Sequence, residues 1–179
     1  TFGFALWAGA LSAQTHVNEP ATGAFPVQIR VISQLNNYPG HWQRAYRSPI
    51  DEFHHFKEAI AECLEPLSDD FVFEFKRFPA KVDDGVFGIT LYLHDWKLSR
   101  SGIIRAHFSA RYDYEGKGKK IGSFAGNEVQ SISTIRSLRD QAYKAAVMEA
   151  GEEFLEALKP ILEPYSQKER GGEADESES

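Results

Sequence analysis

Cysteine, methionine and long hydrophobic runs are all scarce in this chain. Its 179 residues include one cysteine, Cys63, and one methionine. A lone thiol closes no intramolecular disulfide and builds no cysteine-based zinc site, so the fold has to rest on an apolar core. Basic charge is also short. Twenty Lys and Arg face 26 Asp and Glu, a net charge of −6, which argues against a dedicated nucleic-acid binder. The most apolar stretch, TFGFALWAGALSA at residues 1–13, would form a helix of only about 20 Å against a bilayer core of about 30 Å.

What remains is ordinary globular composition, with 42% hydrophobic, 13% aromatic and 26% charged residues. That excludes disorder throughout, collagen-like repeats and a polytopic membrane protein. Residues 1–13 fit the hydrophobic region of a signal peptide, and Gly9, Ala10, Ser12 and Ala13 resemble its cleavage zone, with the cut expected after Ala13. A positively charged start and an initiator Met are missing, so the chain is expected to be a fragment without its first residues. No cysteine lies near the cut, which gives a lipid-modified N-terminus no support. Residues 14–24 read as a linker, and residues 166–179 (SQKERGGEADESES) as a disordered acidic tail with two cations against five carboxylates. One domain is expected between them, over residues 25–165.

Periodicity organises that domain. Val27, Ile29 and Val31 alternate with Gln28, Arg30 and Ile32 in a strand over 25–33. Ser48-Pro49-Ile50-Asp51 announces a helix, with Ser48 as N-cap and Ile50, Phe53, Ile60, Leu64 and Leu67 as its buried stripe. Four strands are expected next. Phe71, Phe73 and Phe75 mark the first, and Ile89, Leu91 and Leu93 the second, which can run on through Trp96 and Leu98. Ile104 to Tyr114 alternates most cleanly, with Arg105, His107, Ser109, Arg111 and Asp113 on its polar face. Glu115-Gly116 turns it into a last strand over 119–131, and a long helix follows with the stripe Tyr143, Val147, Ala150, Phe154, Leu158 and Ile161. The order is β-α-β-β-β-β-α. It predicts a two-layer α+β domain, a mostly antiparallel sheet arranged as a meander, with two helices packed on one face.

No residue pattern points to a reaction. His54 and Glu58 stand at i,i+4, a spacing that suits two metal ligands, yet no third ligand follows at a known spacing, and a solvated helix face is expected. Cys63 has Glu62 and Glu65 beside it, which oppose thiolate formation. Gly116-Lys117-Gly118-Lys119-Lys120 joins two strands and lacks the phosphate-loop spacing. No catalytic residue, metal or other cofactor is therefore expected. Two features suit partner binding. One is the loop with Tyr38, His41, Trp42, Arg44 and Tyr46, whose aromatic and arginine content is that of binding hot spots; the alternative is a plug over one end of the core. The other is the strand face of Arg105, His107 and Arg111, which should look toward solvent or a partner.

From Phe71 to Leu98, through the hairpin and into the helix over 135–162, the outline resembles small bacterial envelope lipoproteins, such as the auxiliary lipoproteins of ABC transporters and the YajG-like group. The lipidated cysteine of that family is absent here. The resemblance implies a non-enzymatic exported protein, periplasmic, that binds another cell-envelope component, for instance as an auxiliary subunit of a transport or envelope-maintenance system. The competing expectation is a carrier with an apolar cavity between sheet and helices, lined by Phe73, Phe108 and Phe154. An intact mass measured on the protein fractionated from its source cells should begin near Gln14 in the soluble periplasmic fraction. An uncleaved cytoplasmic chain would remove the export reading.

Overall fold

The computed structural model describes residues 24–35, 43–46, 48–76, 79–129 and 136–166. The leader, most of the linker, the tail beyond Ser166 and the loop residues Tyr38, His41, Trp42 and Arg47 lie outside the described residues. Along the chain come β1 (Phe25–Ser33), a two-residue β2 (Gln43–Arg44), α1 (Pro49–Leu64) with a 3-10 turn (Glu65–Leu67), and β3 (Phe71–Lys76). Then follow β4 (Phe87–Leu98), β5 (Ile103–Tyr114), β6 (Lys117–Val129) and α2 (Arg136–Ser166). The domain is α+β, with the expected element order and β2 as its one addition.

The sheet order is β3-β1-β4-β5-β6, with β2 pairing β4 at its far end. Only β4, β5 and β6 form the expected antiparallel meander. β1 instead lies between β3 and β4 and is parallel to both. Its core-facing Val27 and Ile29 are wholly buried, and a strand that apolar gains most by pairing on both sides. β1, α1 and β3 thus make a crossover unit, for which a helix is the usual connection between parallel strands.

The return from β3 to β4 is short because the strands are staggered: β3 ends level with Arg30, whereas β4 begins level with Val27. Residues 79–86 cross the sheet face opposite the helices. Val82 fills the space above Gly88, and Asp83 Oδ2 accepts from Gln28 Nε2 at 2.6 Å while the Asp83 N–H donates to Gln28 Oε1 at 2.8 Å. Gln28 also donates to Glu74 at 3.0 Å, so its burial leaves its amide satisfied.

Ser48 caps α1 as expected, its Oγ accepting from Ile50 N at 3.2 Å and Asp51 N at 3.5 Å. The buried stripe is rotated from the expected one: Ile50 is 64% exposed, while Glu52, Phe56, Ala59, Ile60, Cys63 and Leu64 are buried. The inward face keeps Ile60 and Leu64 and adds Phe56, Ala59 and Cys63, while Arg44 Nη2, 2.7 Å from Glu52 Oε2, satisfies the one carboxylate on it. In α2 the stripe from Tyr143 to Leu158 is buried as expected, but Leu162 rather than Ile161 completes it. Pro160 and Pro164 do not end the helix, which reaches Ser166. An interior proline costs about 3 kcal/mol. Here Leu158, Leu162 and Tyr165 offset that loss, the last by stacking on Phe25 with ring centroids 5.3 Å apart.

Phe56, Phe108, Phe124 and Phe154 pack edge to face or tilted between the helices and the sheet, with centroids 5.5 to 5.8 Å apart. The helices cross where Gly151 meets Cys63, leaving no room for a side chain at residue 151. Gly151→Ala should cost about 1–3 kcal/mol in urea unfolding, and the added Cys63→Ala change should recover most of it. Additive losses in that cycle would mean that the crossing is not tight.

Candidate functional site

Both helices pack on the face that carries Phe108, so the opposite face of the sheet has no helix over it. At its β3 end residues 79–86 provide cover, and Lys76 is held by Glu74 at 2.8 Å and Asp83 at 3.1 Å. The β4–β5–β6 end is uncovered. Register places Thr90, Arg111 and Lys120 in one row, Tyr92, Ser109 and Ser123 in the next, and Lys97, Arg105 and Asn127 at the far end. Lys97 bonds Asp95 at 3.0 Å. Arg30, Arg105, Arg111 and Lys120 form no salt bridge among the described residues, and the Nε of Arg30 is buried without a hydrogen-bond partner. A chain of net charge −6 therefore gathers four cations without a salt bridge on one surface, where Asp113 stands two residues from Arg111.

A β-bulge decides the centre of that surface. Pairing of β4 with β5 shifts between Leu93 and Asp95, so His94 and Asp95 both stand opposite His107. The imidazoles of His94 and His107 lie 5.0 Å apart, centroid to centroid. Each is anchored by a serine at 2.8 Å, His94 Nε2 by Ser109 Oγ and His107 Nε2 by Ser123 Oγ. Burial, reinforced by His94 beside it, holds the pKa of His107 below the usual histidine value. His94 and Ser123 were not singled out in the sequence. The signal for His94 was the change of phase in β4, where inward residues step by two up to Leu93 and then by three to Trp96.

The other sequence candidates divide. Arg105 and Arg111 are exposed and His107 half-buried on this one face, so the structure brings these three together. Tyr38, His41 and Trp42 lie outside the described residues. Arg44 belongs to β2, and its guanidinium holds Glu52, which is 2% exposed. Tyr46 is buried; its ring stacks on His55 at 4.5 Å, lies 5.0 Å from Trp96 and 5.6 Å from Tyr143, and its hydroxyl donates to Asp140 at 3.5 Å. It plugs the end of the core.

A concavity lies at the C-terminal end of β1, where that strand outruns β3. It is a cleft of about 550 Å³, lined by Val31, Ile32 and Leu93 and by the first turns of α1, with Ile50 and Phe53 prominent. Phe108 and Phe154, expected to line a cavity, are instead fully buried against each other, and Phe73 is half-buried in the core face.

Among the described residues no group of three or more His, Cys, Asp and Glu is placed to hold a metal ion. His54 and His55 each lie 3.4 Å from Glu58 on an exposed helix face. Cys63 is buried, and burial together with the carboxylates of Glu152 and Glu62 pushes its pKa up to about 11. Its thiol should therefore stay protonated at pH 8 and resist a disulfide reagent in the folded protein, then react stoichiometrically in urea. Fast labelling of the folded chain would refute the assignment.

No protein-family model and no curated protein matches the sequence. Solved structures match in shape. A protein described only as uncharacterized is 9% identical over 77% of this chain and 94% of its own, at a TM-score of 0.51. A Xanthomonas campestris protein of family DUF330 is 12% identical over 80% of this chain and 88% of its own, at a TM-score of 0.52. A minor lipoprotein of Acinetobacter baumannii, 5% identical over 76% of this chain and 91% of its own, reaches a TM-score of 0.38, too low to carry an argument. Among the described residues no helix is long and apolar enough to cross a membrane. The first two likenesses establish a shared fold.

Proposed function

We propose that the protein is a non-enzymatic, exported component of the bacterial cell envelope that binds another envelope protein through the uncovered face of its sheet. The observation that carries this reading is the gathering of Arg30, Arg105, Arg111 and Lys120 on a helix-free surface of a net-acidic chain. Charge segregated in this way steers and orients an oppositely charged partner. Export is supported by the signal-like residues 1–13, and an envelope role by the resemblance to small envelope lipoproteins, which also implies an auxiliary part in transport or envelope maintenance. A binding role rather than a catalytic one fits the way the reactive groups are occupied. Cys63, the one thiol, is held protonated in the helix crossing.

A photo-crosslinking amino acid at Ser109 should capture a discrete partner in the source envelope, whereas one at Glu153, exposed on α2, should not. The paired changes Arg105→Glu and Arg111→Glu should reduce the Ser109 adduct by about tenfold, the order expected for reversing charges at a steered interface. Equal capture from both positions, or an adduct indifferent to charge reversal, would overturn the assignment of this face.

A further inference from the structure

We propose that the His94–His107 pair is a proton-operated contact within this face, which strengthens its hold on an acidic protein surface as pH falls. The inference rests on the binding role assigned to the face above. Its basis is geometric. The bulge at Leu93/Asp95 turns His94 out beside His107, 5.0 Å away, in the middle of the uncovered strands. The charged and polar groups around the pair are Asp95 and Lys97 on β4, Arg105 and Ser109 on β5, and Ser123 and Asn127 on β6. Arg44 on β2 pairs with Lys97 through the backbone and spends its guanidinium on Glu52. Asp95 is the one carboxylate in this group, and Lys97 already bonds it.

Both anchors are serine hydroxyls, and a hydroxyl can donate to a neutral imidazole nitrogen or accept from a protonated one. Protonation therefore breaks no hydrogen bond at Ser109 or Ser123. It adds positive charge between Arg105 and Arg111, where Asp95, already bonded by Lys97, is the carboxylate beside the pair. In the unbound protein His107 resists charging, because burial and its neighbour His94 lower its pKa. A partner carboxylate removes that resistance, so binding takes up protons and affinity rises as pH falls. An acidic protein surface is favoured over a lipid surface because Tyr92, His94, His107 and the arginines are flat, hydrogen-bonding groups of the kind enriched at protein interfaces. The uncovered rows carry a single exposed apolar pair, Ile103 and Val129 at their far end, too little for insertion into a bilayer.

The test uses the full chain and a fluorescein-labelled deca-glutamate peptide at pH 7.5 and 5.5, with thermal midpoints confirming that each variant is folded. Wild type should bind about tenfold more tightly at the lower pH, while His94→Gln/His107→Gln should change by no more than about twofold. NMR titration of the imidazole signals should show the His107 ring protonating at higher pH when the peptide is present, a readout that needs no variant. Unaltered ring titration, or a tenfold gain that survives the double change, would overturn the proton-operated contact. Arg105→Ala/Arg111→Ala separates this from the underlying reading, since peptide binding that ignores the arginine changes at both pH values would remove the face itself. Stronger association with phosphatidylethanolamine–phosphatidylglycerol vesicles than with the peptide would overturn the choice of a protein partner.

Discussion

The contact between one face of a five-stranded core sheet and two amphipathic helices is the constraint on which the rest of this protein depends. Phe56 of α1 and Phe154 of α2 both reach Phe108 at the centre of β5, and Phe154 also reaches Phe124 on β6. Each helix can bury its stripe only against that face, so the other face is left to polar side chains. The close approach needed to close the core leaves its mark on small residues. Gly126 lies directly under the backbone of α2 at Ala146, and Gly151 gives room to Cys63 at the helix crossing. At both places a side chain would have to displace its neighbours, and dense interiors accommodate such shifts poorly.

The polar half of the molecule follows from the same division. Where the chain must cross the open face, between β3 and β4, it does so with buried polar groups matched to one another, as the Gln28–Asp83 exchange shows. Elsewhere that face is uncovered, and alternation along β5 delivers Arg105, His107, Ser109 and Arg111 to it. Register across β4 and β6 then adds Lys97 and Lys120 beside them, and the bulge adds His94. A cationic surface on an acidic chain is thus assembled from residues scattered through three strands.

Edges are managed as well. The long outer strand β6 opens with Lys117, Lys119 and Lys120, charges that discourage pairing with another strand. Near its other end the Asn127 N–H donates to Glu149 Oε2 of α2 at 2.5 Å, which occupies a donor on the exposed edge. The ion pair between Arg44 and Glu52 plays a similar tying role at the opposite corner. It joins β2 to the first turn of α1, next to the Tyr46 plug.

Local patterning by itself determined the elements: alternation in 25–33 and 104–114, the Ser48-Pro49 helix start, the Glu115-Gly116 turn and the stripe of α2 are all legible because each depends on neighbours within a few residues. Those signals also placed Arg105, His107 and Arg111 on a polar strand face. What tertiary structure alone decided is everything set by pairing at long range. β1 entered between β3 and β4 because its apolar residues gain from two partners, a choice its own sequence does not encode. Glu52 could turn inward because Arg44 met it, beside a stripe that kept Ile60 and Leu64 but took Phe56 and Ala59 in place of Ile50. His94 joined His107 because a one-residue bulge, hinted at only by a change of phase before Trp96, brought two strands into a register that no local pattern fixes.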